Sequence, residues 1–180
     1  MANLRPRATL TPELVSGLLS GETQLRALFG LSRPQLAAMA AQGHQLWQQG
    51  RRQEALRIFR ALVALDERLY YGHAGLGLAA MGDENFAVAE QHLKTAAALE
   101  PEDASVATNL GEALLRLDRL EDAIRELTRA AGIDSTGRDP GAARARAILQ
   151  GIAQGVAGQT QASGDGKAGG KTGGTTGGKK

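Results

Sequence analysis

His44, His73 and His92 are the side chains of this sequence best suited to bind a metal or carry a proton at neutral pH, and there is no cysteine to join them. His44 and His73 are not four residues apart, the spacing that puts two ligands on one helix face, and no cluster of carboxylates accompanies them. The stretch Gly72-x-x-Gly75-x-Gly77 has the glycine content of a phosphate-cradling loop, but no Lys-Ser/Thr follows it and it falls inside a helical segment. No serine sits in a strand-to-helix turn of the kind that exposes a nucleophile. The sequence therefore predicts no catalytic residue, no metal and no cofactor, and the histidines read as surface or groove side chains. Binding, not turnover, is the expectation.

What positions these residues is a repeat. Gly43, Gly77 and Gly111 stand 34 apart, as do Ala55, Ala89 and Ala123. Phe59, Leu93 and Leu127 keep the spacing, and so do Leu62, Ala96 and Ala130, then Asp66, Glu100 and Asp134. A period of 34 marks stacked helical hairpins, each unable to bury its apolar face alone. The units run 36–69, 70–103 and 104–137. The glycine at the eighth position is expected to admit the second helix closely, the alanine at the twentieth to serve the same contact, and the large residue at the twenty-fourth to fill the space between hairpins. A turn glycine is present only as Gly50, and Pro101 closes the second unit.

The flanks are read from composition. Aromatics make up 3% of the chain, so its core must be rich in Ala and Leu, which favours close helix packing. In the N-terminal helical segment, 1–35, residues 1–10 look unstructured. A helix is expected from Thr11 with Pro12 in its first turn, then a second piece, Thr23 to Phe29, ending at Gly30. Leu14, Leu18, Leu25 and Phe29 need cover, either on the exposed end of the stack or through residues 11–30 of a second copy as a homodimer. Ser32 caps the next helix. A capping helix is expected within 138–157, with Ile148, Leu149 and Ile152 on one side and Arg144 and Arg146 on the other. Residues 158–180, with nine glycines, read as a disordered tail.

Charge argues against a nucleic-acid surface. Residues 1–157 hold 17 Lys/Arg against 18 Asp/Glu, while 158–180 hold four lysines against Asp165, so the pI near 9.2 reflects the tail. No apolar run approaches the roughly 18 residues of a membrane helix, and no signal peptide is evident, so a cytoplasmic protein without membrane insertion is expected.

The surface most suited to function is the inner side of the stack, lined by the first helix of each unit. It offers Ala40, His44 and Trp47 from the first. The second gives Tyr71, Ala74, Gly75, Leu78, Met81 and Gly82, and the third Thr108, Asn109, Glu112 and Leu115. Trp47, Tyr71, Leu78 and Met81 are types that anchor peptide side chains, and the Asn109 amide suits an extended backbone. The plainer reading packs Trp47 and Met81 between helices.

The repeats resemble tetratricopeptide repeats, which implies an all-α solenoid of three hairpins between an N-terminal helical segment and a C-terminal capping helix. Gly21…Leu25-x-x-Leu28, Leu46-Trp47-x-x-Gly50-x-x-x-Glu54-Ala55-x-x-x-Phe59-x-x-Leu62-x-x-Leu65-Asp66 and Tyr70-Tyr71-Gly72-His73-Ala74-Gly75-Leu76-Gly77 resemble the class II chaperones of bacterial type III secretion. That resemblance implies a cytoplasmic protein, often dimeric through its N-terminal segment. Its partner would be a hydrophobic secreted translocator, bound by a short extended segment in the groove. A general adaptor within a multiprotein complex is the alternative.

Overall fold

Thr11, Asn85, Asp103 and Asp139 show how the chain starts its helices. Each side-chain oxygen accepts the N–H three residues on: Leu14 at 3.3 Å, Val88 at 3.4 Å, Val106 at 2.9 Å and Ala142 at 2.8 Å. At Ser32 the backbone N–H donates to Gln35 Oε1 at 2.9 Å. The computed structural model describes residue 9 and residues 11–165, and among these no strand occurs. The helices are α1 (Pro12–Leu19), α2 (Arg33–Gln48), α3 (Arg52–Leu65), α4 (Tyr70–Gly82), α5 (Phe86–Leu99), α6 (Ala104–Arg116), α7 (Leu120–Ile133) and α8 (Pro140–Asp165), with a 3-10 turn at Leu25–Ala27.

Helices α2/α3, α4/α5 and α6/α7 pair as antiparallel hairpins, and each stacks on the next. This is the all-α solenoid that the period implied. Gly43, Gly77 and Gly111 hold the hairpins closed: a Cβ there would come within 2.7 Å of Phe59, 2.6 Å of Leu93 and 2.6 Å of Leu127. Those three large residues and Ala55, Ala89 and Ala123 are fully buried. Gly75, expected in the groove, instead faces Phe59, whose ring would lie 2.3 Å from an added Cβ. It is a packing residue between α3 and α4.

The turns between paired helices share one backbone solution. Gly50, Glu84 and Asp118, again 34 apart, all take positive φ, at 76°, 56° and 58°. The left-handed turn thus survives where its glycine does not.

The apolar N-terminal residues divide. Leu28 is buried, and Phe29 and Leu31 pack on the core of the first hairpin. Arg26 fixes this segment by a 2.8 Å ion pair with Asp66, the buried C-cap of α3. Helix α1 does not share that cover: Leu19 is 84% exposed and Val15 40%. Helix α8 packs on α6 and α7. It continues past residue 157, so that residues 158–165, expected to belong to a structureless tail, are helical. The expected unstructured residues 1–8 and 10 and the tail from 166 lie outside the described residues.

Candidate binding groove

The first helices α2, α4, α6 and α8 touch their neighbours along the stack, and the second helices make no comparable contacts with one another. A stack in which one row of helices is closer together curves toward that row. Its inner side is therefore built from α2, α4, α6 and α8.

Three of the expected groove residues, Ala40, Ala74 and Thr108, occupy the same position of successive units and are buried. That position points at the neighbouring helices, not at the hollow. Thr108 shows why: its hydroxyl lies 2.7 Å from the Ala104 carbonyl oxygen and 2.9 Å from that of Gly141, so it joins α6 to α8. Half-buried His44 sets its ring 5.2 Å from Phe59, and burial lowers its pKa. Trp47 is wedged between hairpins, with the Arg52 guanidinium 5.1 Å over its ring and Gly82 so close that a Cβ would stand 3.0 Å from Cζ2. Tyr71 is 39% exposed and meets Tyr70 edge-on, while Leu78 and Met81 are half-buried. Leu115, also half-buried, bridges the central core and the core beneath α8. Of these apolar side chains Tyr71 is the exposed one, while Leu78 is half-buried and Met81 packs in part on the central core.

Arg144 was missed there. The sequence pattern sets it with Arg146 on the side of the capping helix opposite Ile148, Leu149 and Ile152, but the two arginines diverge. Arg146 donates to the Ala131 and Asp134 carbonyls at 2.9 and 2.8 Å, closing the end of α7. Arg144 turns inward, where Nε lies 3.0 Å from Glu112 Oε1 and the guanidinium also donates to Asn109 Oδ1. Asn109 and Glu112 are therefore already engaged by the fold. No pattern within one helix could reveal this, because the partner comes from α8.

His73 and His92 are corrected as well. They are not free surface or groove side chains but meet between α4 and α5, Nδ1 to Nδ1 at 3.2 Å. The Glu67 carbonyl, 3.0 Å from His73 Nε2, requires a proton on that nitrogen. His73 Nδ1 therefore accepts, and His92 Nδ1–H donates to it. Burial first, then the neighbouring His73, lowers the His92 pKa. Tyr70 makes a similar tie, donating to Asp103, the N-cap of α6, with its pKa raised by burial and by that bond. Among the described residues no group of three or more His, Cys, Asp or Glu is arranged to hold a metal, and no helix is long and apolar enough to cross a membrane.

Comparison with known proteins places this architecture. A family model described as tetratricopeptide repeat matches residues 74–143. No curated protein sequence matches the chain. A type III secretion complex from Aeromonas hydrophila is similar over 80% of this chain and 97% of its own, at 25% identity and a TM-score of 0.67. PcrH from Pseudomonas aeruginosa is similar over 68% and 95%, at 26% identity and a TM-score of 0.60, and PcrH has also been solved with the chaperone binding regions of PopB and PopD. The translocator chaperone SycD of Yersinia enterocolitica shares the fold over 72% and 98%, at 20% identity and a TM-score of 0.61. The chain is a helical solenoid of tetratricopeptide-like hairpins that resembles translocator chaperones, and both fold and likeness point to a protein-binding role.

Proposed function

We propose that this chain is a cytoplasmic, non-catalytic chaperone. It holds an extended segment of a hydrophobic, export-bound translocator against the inner side of α2, α4 and α6. The units 36–69, 70–103 and 104–137 form the binding domain, 138–157 caps it, and residues 11–30 supply a homodimer contact. The observation that carries the reading is the likeness to PcrH, which binds the chaperone binding regions of PopB and PopD, together with an inner surface here that is apolar at its centre. Tyr71, Leu78 and Met81 take apolar client side chains, with His44 and Trp47 at one flank and Asn109, Glu112 and Leu115 at the other. A preformed solenoid orders only the client segment on binding, which keeps the entropic cost low. The exposed Leu19 and Val15 are the surface that the second copy covers.

A peptide spanning the chaperone binding region of PopD, followed by fluorescence anisotropy, tests the groove. The double variant Tyr71→Ala/Leu78→Ala is expected to weaken binding at least ten-fold, because it removes two anchors. Its melting temperature should fall only slightly, since neither side chain is fully buried. Unchanged affinity in the folded variant, or no binding by the wild type, refutes the groove.

A further inference from the structure

One rim of the hollow carries cations with no assigned task. Two adjoining cavities open there, of about 590 and 530 Å³, and their common wall is Arg33, Asp66 and Arg68. Asp66 is already engaged: Arg26 pairs with it at 2.8 Å, and its Oδ1 accepts the Arg68 backbone N–H at 3.0 Å. The guanidinium groups of Arg33 and Arg68 have no carboxylate partner among the described residues. The two remaining carboxylates, Glu22 and Glu100, each line only one of the cavities and neither belongs to the shared wall. The larger cavity is floored by Pro34, Ala37 and the exposed Tyr71, and so runs into the apolar part of the inner surface.

We infer that this cleft receives a carboxylate side chain of the client, Asp or Glu, lying beside the apolar residues that fill the groove. The inference rests on the groove reading above and adds to it a preference for acidic residues at one end. Guanidinium groups suit the task because their planar N–H forks match a carboxylate, and two free ones beside a neutralised Asp66 leave the shared wall positive. A lysine in the client at that place would meet like charge, so the cleft also fixes the direction in which the segment lies.

The test uses the PopD chaperone-binding peptide with each position replaced in turn by Asp, Asn and Lys, measured against the full chain at low and high salt. The wild type should bind the Asp form about five-fold more tightly than the Asn form at one position, the range expected for partly exposed ion pairs, and the gap should close at high salt. Arg33→Gln/Arg68→Gln should abolish the gap and leave the Asn form's affinity unchanged. Binding without an acidic preference at any position, or a preference that survives in the double variant, overturns the cleft and leaves the groove standing. Failure of every peptide to bind overturns both.

Discussion

The three left-handed turns offer a perturbation in which the same backbone feature is probed with and without its glycine. Gly50, Glu84 and Asp118 hold φ of 76°, 56° and 58° at equivalent places in successive hairpins. A side chain in this region crowds its own carbonyl and costs about 1–2 kcal/mol. Replacing it with glycine relieves that strain but adds freedom to the unfolded chain worth about 0.4–1 kcal/mol. The Glu84 side chain is exposed and makes no hydrogen bond or ion pair among the described residues, so nothing else is lost. Glu84→Gly should therefore stabilise by about 0.5–1 kcal/mol, and Asp118→Gly by less, because short acceptor side chains tolerate this conformation. Gly50→Ala should destabilise by a similar amount. No atom lies within 4 Å of a Cβ built there, so backbone strain alone is measured. Urea unfolding reads each change as a shifted midpoint at constant slope, with about 2–4 °C of melting temperature per kcal/mol as a check. If Gly50→Ala proved neutral and Glu84→Gly destabilising, the turn would not be strained and the reasoning would fail.

Two further outcomes follow from the packing. His92 has its pKa lowered by burial and then by His73, so the folded state binds fewer protons than the unfolded one. The His92 contribution is then whole above the unfolded value of about 6.5 and is lost as pH falls below it; His92→Gln should flatten the fall in stability between pH 7 and 5, and an unaltered slope would show that His92 does not sense acid. At Gly141 an added Cβ would stand 2.5 Å from Ser105 N and 2.7 Å from the Ala104 carbonyl carbon, backbone atoms that cannot rotate away. Gly141→Ala should destabilise by about 2–3 kcal/mol and raise hydrogen exchange in α8, and a melting temperature within a degree of the wild type would contradict so close a contact.

The fold was legible because the period reports contacts made inside each hairpin. A glycine facing a large residue sixteen positions later recurs three times, and the structure shows the same approach each time: Gly43 on Phe59, Gly77 on Leu93, Gly111 on Leu127. The binding surface was legible only in part, because helical periodicity tells which residues share a face and not which neighbour covers that face. Ala40, Ala74 and Thr108 share a register with the inner surface, yet the adjoining helices bury them. His73 and His92 fall at unrelated positions of their unit, and only the docking of α4 on α5 makes them a pair.

Helix α8 shows where that limit bears on function. As a cap it needs only Ala145 and its apolar neighbours against α6 and α7, and the sequence reads this correctly. But Gly141 brings α8 so near to α6 that it stands where the first helix of a fourth unit would stand. From that position Arg144 reaches Asn109 and Glu112, and a helix recruited to shield the last hairpin from water becomes the end wall of the hollow. Cap and groove are thus one structural element here. A change that loosens α8 should consequently weaken client binding as well as stability, whereas a change confined to the rim at Arg33 and Arg68 should alter selectivity alone.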